Sequence, residues 1–171
     1  MHTHWPGEFT YCPMCSTELE LRQLGGRDRR VCPACGYIHW RNPGVGAAIL
    51  VQDDEGRVLL IRRAPGSTKP GLWAIPAGYV DYGEDVREAA RREMREETGL
   101  IVEVGEAVFV ASNFHDPGKL TVGIWFAGTV TGGTLQAGDD ADDAGYFALD
   151  DLPPLAFETD VALLDSLRLE L

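Results

Sequence analysis

Residues 78–100 read "GYVDYGEDVREAARREMREETGL". Glu93, Glu96 and Glu97 fall within five positions of one another. At helical spacings of three and four, like charges repel by roughly 0.2–0.5 kcal/mol per pair. A helix is nonetheless expected, because Asp85 and Glu88 form a D-x-x-E start pattern and Gly99 is a good stop. On a wheel of about 100° per residue, Val86, Ala89, Ala90, Glu93, Glu96 and Glu97 share one side. Arg87, Glu88, Arg91, Arg92 and Arg95 surround the other side, and Met94 lies at the margin. A solvated acidic face would lie opposite the apolar stripe; these glutamates continue it. Carboxylates drawn partly out of water need protons, arginine partners or metal ions. Mg²⁺ is a hard cation that takes a few carboxylates together with substrate phosphates. Gly78 can bring its backbone close to an ion. Arg92 is within reach of Glu88, Glu96 or the loop residue Glu84, in a role of orientation and charge balance.

Taken together, Gly78-x5-Glu84-x7-Arg92-Glu93-Met94-x-Glu96-Glu97-x-Gly99-Leu100 resembles the Nudix box, with every defining position filled. The resemblance to Nudix hydrolases runs through the chain from Gly44 onward. It implies an α/β/α sandwich around a mixed sheet, with the box as a loop–helix–loop. It also implies Mg²⁺- or Mn²⁺-dependent cleavage of a diphosphate linked to a nucleoside. By the same resemblance Glu93, Glu96 and Glu97 are metal ligands, the Gly78 carbonyl is a further one, and Glu84 and Arg92 brace the loop and the catalytic glutamate. The general base is Glu93 or an acidic residue outside the box. Asp140, Asp142 and Asp143 are the candidates, and Asp143 best matches the position before the strand "YFAL". Asp-rich turn chemistry is the alternative for any one of them.

The rest of the chain fits an α/β layered fold. "VGAAILVQ" and "RVLLIRR" flank "DDEG", a hairpin signal. "IVEVGEAVFVAS" and "KLTVGIWFAGTV" read as strands joined by a loop, and "AGDDADDAG" as an acidic loop before "YFAL". "TDVALLDSLRLEL" reads as an amphipathic helix with Val161, Leu164 and Leu167 on its stripe. "WRNPG" reads as a hinge. It divides a small module, residues 1–42, from a Nudix domain, residues 43–171.

The small module carries Cys12-Pro-Met-Cys15 and Cys32-Pro-Ala-Cys35, two C-x2-C turns at zinc-site spacing. Cys12, Cys15, Cys32 and Cys35 make a closed tetrahedral set for a structural Zn²⁺, and the module resembles a zinc ribbon. Disulfides or free core thiols are the alternative; a C-x2-C disulfide closes a very small loop, and no secretion signal is seen. The module is too small to fold on a core of its own, so the metal supplies folding energy. Arg27, Arg29 and Arg30, with Tyr37 and Trp40 nearby, leave a nucleic-acid contact open, against a plain docking role.

The net charge of −12 argues against a general nucleic-acid or membrane binder. No run approaches the ~20 apolar residues of a membrane span. A cytoplasmic location is expected; the Nudix resemblance implies a metal-dependent enzyme acting on a small nucleotide, and a homodimer is left open. A ribbon before a Nudix domain is similar to the NADH pyrophosphatase arrangement. That branch carries S-Q-P-W-P-F-P after the box, where this chain has Ser112-Asn113-Phe114-His115-Asp116-Pro117. The ADP-ribose and FAD branches are therefore weighed beside it. Phe114 and His115 are candidates for the base or sugar pocket. Of Arg62 and Arg63 only one can face the site by strand alternation, and Arg62 is taken for phosphate. Trp73 and Trp125 read as core. The other readings are a nucleoside triphosphate or RNA-cap hydrolase, and a non-catalytic ADP-ribose sensor with a nucleic-acid-binding ribbon.

Overall fold

The computed structural model describes residues 9–113 and 118–169. Contacts divide them into two units that meet at Pro43 and Gly44, with residues 118–120 counted in the first. The first unit is a three-stranded antiparallel sheet, β1 (Glu20–Leu24), β2 (Arg27–Val31) and β3 (Ile38–His39), in that order. Gly25 and Gly26, both at positive φ, make the two-residue turn between β1 and β2 that matches strand twist. Among the described residues its core cluster is Cys12, Leu19 and Cys32, with Phe9 and Tyr37 packed against it, and Val31 is buried as well.

The second unit contains β4 (Gly44–Val51), β5 (Val58–Arg63), β6 (Trp73–Ala74), β7 (Ala77–Tyr79), α1 (Val86–Thr98), β8 (Leu100–Asn113), β9 (Thr121–Gly133), β10 (Ala141–Phe147) and α2 (Glu158–Arg168). One sheet has the order β7-β4-β9-β8; β4 and β9 run parallel and the other neighbours antiparallel. A second sheet has the order β10-β5-β6. Alternation along β4 splits the core in two. Ala47, Ile49 and Val51 join Ala89, Ala90 and Met94 of α1. Ala48 and Leu50 join Leu163 and Leu164 of α2. Helices on both sides of the strands give the α/β/α sandwich around a mixed sheet.

The structure departs from the sequence reading in four places. First, β4 and β5 do not form a hairpin. They belong to different sheets and share only a bridge between Gln52 and Val58. The "DDEG" turn reverses the chain, but β4 already has β7 and β9 on its two edges and β5 has β10 and β6, so neither has a free edge for the other. Second, β10 begins at Ala141, so Asp142 and Asp143 are strand residues and not loop. Third, Met94 is wholly buried and Glu96 is exposed; α1 turns Ala90, Met94 and Glu97 inward. Fourth, α2 buries Asp160, Leu163 and Leu164, and Val161 is exposed. No helix among the described residues is long and apolar enough to cross a membrane.

Candidate active site

Helix α1 starts where Asp85 accepts from the Arg87 backbone N–H, and stops at Gly99, whose left-handed φ of 70° lets its N–H reach the Arg95 carbonyl. Glu88 turns away to Arg91, so only the Asp85 half of the start pattern is made. This sets three glutamates in three environments. Glu97 is buried and accepts from the Ala77 N–H at 2.9 Å. Glu93 is mostly buried, with its side chain 13% exposed, and Glu96 lies outward.

Arg92 ties them together. It grips Glu84 through Nε (2.9 Å) and Nη2 (3.0 Å), donates to the Tyr79 carbonyl (2.9 Å), and spans Glu93 (2.7 Å) and Glu96 (3.1 Å) through Nη1. Of the partners weighed from sequence, Glu88 is not one. The guanidinium lowers Glu84 to a pKa of about 2. Burial, despite Arg92, raises Glu93. Burial first, then the neighbouring Asp140 carboxyl, raises Glu97 well above the usual carboxylate range.

Asp140 reaches Glu97 because the chain leaving β9 is stitched to the end of α1. Gln136 N–H bonds the Thr98 carbonyl and Gly138 N–H the Glu97 carbonyl. Asp143 sits elsewhere: β10 places it opposite Arg62, and a bulge before it lets both Asp142 (2.6 Å) and Asp143 (3.5 Å) pair with that arginine. Arg62 is thus engaged with two aspartates. Arg63 is the arginine on the cleft, bonding the Thr68 carbonyl (2.5 Å) and Asp140 (3.2 Å). Strand parity decides between the two only once the side facing α1 is known: Arg63 shares its side with Leu59, which packs with α1.

A cleft of about 170 Å³ opens beside the glutamates, lined among others by Arg63, Ala77, Gly78, Asn113, Trp125 and Asp160. Ala77 and Gly78 belong to both features, since Ala77 holds Glu97 and Gly78 packs on the Glu93 carboxyl. A Cβ at Gly78 would overlap that carboxyl. Gly78→Ala is therefore expected to displace Glu93 and lower turnover at least about 100-fold. The clash is with the end of a flexible side chain, so the melting temperature should stay within a few degrees; unchanged kcat would reject this contact.

Asp160 and Asn113 were not found from sequence. An acidic residue in a first helical turn normally reads as solvated. Asp160 is instead buried and accepts from the Ile75 N–H and the Trp125 indole, both at 3.1 Å. Burial raises its pKa to about 6 against an ordinary 3.8. The folded protein then binds the proton more tightly than the unfolded chain, so its stability falls as pH rises from about 4 to about 6, by about 3 kcal/mol. Asp160→Asn should remove that slope; denaturation of both proteins at pH 4.5 and 7 measures the difference. Trp125 is core, as read, and also borders the cleft; Trp73 packs edge-on against Phe147. Phe114 and His115 lie outside the described residues.

In the ribbon, Sγ–Sγ distances are 3.6 Å for Cys12–Cys35, 3.4 Å for Cys15–Cys32 and 3.6 Å for Cys15–Cys35, and all four sulfurs lie within 4.8 Å of one another. Four thiolates at about 2.3 Å from a tetrahedral Zn²⁺ are about 3.8 Å apart, far beyond a disulfide of about 2.05 Å. Backbone N–H groups of Met14 and Cys35 point at Cys12 and Cys32, each at 3.4 Å. The donor set fits structural zinc.

The sequence matches the NUDIX domain over residues 42–166. The chain is a Nudix hydrolase. Residues 10–41 match the Nudix N-terminal zinc ribbon. The Nudix chain is 41% identical over 133 residues to an ADP-ribose pyrophosphatase of Methanocaldococcus jannaschii, covering 77% of this chain and 76% of that one. It is 31% identical to the NAD-capped RNA hydrolase NudC of Stutzerimonas stutzeri, over 92% of this chain but only 55% of that protein. The Nudix hydrolase structure from Nitrosomonas europaea superposes with a TM-score of 0.78 at 29% identity, covering 91% of this chain and 88% of that one.

Proposed function

We propose that this Nudix hydrolase cleaves the diphosphate of a nucleoside diphosphate derivative, ADP-ribose or a dinucleotide such as NADH or FAD, in the cytoplasm. The observation that carries the reading is the meeting of Glu93, Glu97 and Asp140 at the edge of a cleft that shares Ala77 and Gly78 with them. Buried carboxylates beside one another are a donor set suited to a hard divalent cation. Glu93, Glu96, Glu97 and the Gly78 carbonyl would hold Mg²⁺ or Mn²⁺. Such an ion supplies charge neutralisation of the diphosphate and acidification of a water.

The chain's own residues do the positioning. Ala77 fixes Glu97, and Arg92 fixes Glu93 while Glu84 locks Arg92 to the loop. Glu93 takes the proton of the attacking water, and Asp140 stands nearer to this set than Asp143 does, as the acidic residue from outside the box. Arg63, and not Arg62, is the phosphate-facing arginine, suited to a bidentate contact. Asn113 and Asp160 line the part of the cleft that would take the group attached to the diphosphate.

Hydrolysis with Mg²⁺ of ADP-ribose, NADH, FAD, dinucleoside polyphosphates and deoxynucleoside triphosphates tests the reading. The highest kcat/KM should fall on ADP-ribose or a dinucleotide. Tight binding without turnover would favour the sensor reading, and preference for triphosphates would displace the substrate class. A second reading has one observation in its favour: the similarity to NAD-capped RNA hydrolases runs over 92% of this chain. A NAD-capped oligonucleotide therefore belongs in the same panel.

A further inference from the structure

The ribbon's arginines take no part in the site described above. The register of its sheet sets them in order. Arg22 lies directly opposite Arg29, so the two share a face, and Leu24 lies opposite Arg27 on that same face. Across from Arg29 the chain has just left β3, and there the Arg29 guanidinium sits 4.3 Å from the centre of the Trp40 ring. Trp40 is 56% exposed. The ring therefore keeps open surface on which a further flat group can stack beside the guanidinium.

Charge points to the occupant. Residues 9–43 hold five arginines against three acidic residues, in a chain of net charge −12. One acidic residue on the row, Glu20, pairs with Arg22 at 2.8 Å on an exposed surface, an ion pair of little strength that an external phosphate can replace. Residues 9–43 thus carry a positive excess of two, part of it beside an exposed aromatic ring. That combination of arginines for a phosphate backbone and a flat face for a base is the requirement for gripping a single strand without reading its sequence.

We propose that the Arg22–Arg29–Trp40 face of the ribbon, with Arg27 at its end, binds single-stranded nucleic acid, one base stacking on Trp40 and the flanking phosphates meeting the arginines. None of these residues is among those of the hydrolytic site. It predicts a salt slope of about −2 in log K against log [salt], for three phosphate contacts on a single strand.

The test is fluorescence anisotropy of the zinc-loaded full chain with labelled U20 RNA, dT20 DNA, and a 20-base-pair duplex, from 20 to 200 mM salt. Binding of both single strands, weakened about tenfold or more by Trp40→Ala and by Arg22→Glu, is the expected result. Preference between RNA and DNA identifies the natural strand. Hydrolysis of a small diphosphate substrate and zinc content should be unchanged in both variants. If Trp40→Ala loses zinc, Arg22→Glu, on the exposed sheet face, carries the decision alone. No binding at 20 mM salt, or equal binding by both variants and wild type, or a preference for the duplex, overturns the proposal.

Discussion

Glu97→Gln is expected to reduce kcat by at least about 10²–10³ while leaving the fold intact. Two effects set the size. The substitution removes a charge from the carboxylate set that would hold the divalent cation, and a preorganised electrostatic group in an active site is worth roughly that factor. It leaves the packing nearly unchanged, because glutamine has the same shape and its carbonyl can still accept from the Ala77 N–H. Stability should move the other way from activity. Burial and Asp140 raise Glu97 well above the ordinary carboxylate range. Without metal, the folded protein therefore loses stability as pH rises through the ordinary carboxylate range and above it. Glutamine does not titrate and can donate to Asp140. The metal-free variant should melt no lower than wild type at pH 7, and Mg²⁺ should raise the wild-type melting temperature and not the variant's. Retained turnover, or an equal Mg²⁺ response in the two proteins, would reject Glu97 as part of the ion site.

What could be read from sequence divides along a physical line. Interactions local in the chain were legible. The 85–98 wheel put Glu93 and Glu97 on the packing side because α1 has one face on β4, β7 and β8 and periodicity reports that face. The cysteine turns were legible because four thiols at such spacings have few other uses. Interactions set by distant strands were not. Asp140 becomes a neighbour of Glu97 only through the backbone bonds from residues 136 and 138 to the end of α1. Asp143 looked better placed by its distance from "YFAL", and a single bulge in β10 sends it to Arg62. The choice between Arg62 and Arg63 turned on which side of β5 faces α1, which alternation alone leaves two-valued. Asp160 gave no signal, because its burial depends on Trp125 and Ile75, each more than thirty residues away. The wheel erred at Glu96 and Met94 for a related reason: it gives a direction around the helix but not how far the sheet extends beneath it.

Cys12→Ser should empty the zinc site and unfold the ribbon. Among the described residues the ribbon buries Cys12, Leu19, Val31 and Cys32, and two of those four are ligands. Once the ion is gone, those positions become thiols or hydroxyls with no metal bond to offset the ordering of thirty or more residues, each costing about 1–2 kcal/mol in backbone entropy. Structural zinc contributes on the order of 10–16 kcal/mol in peptides of this kind, so three-ligand binding or its loss cannot be absorbed by one leucine and one valine. The Nudix unit has two cores of its own, built on β4, β5, α1 and α2, and neither includes a ribbon residue. Hydrogen exchange should show residues 9–43 losing protection while β4, β9 and α1 keep theirs. Metal analysis should fall from one zinc per chain to well below it. Wild-type protein treated with mild EDTA should lose Mg²⁺-dependent turnover reversibly and retain zinc, because the thiolate site is closed and the carboxylate site is open to solvent at Glu96. A zinc-free wild-type chain with a protected ribbon would overturn the assignment, since a core of that size could then have held the sheet alone.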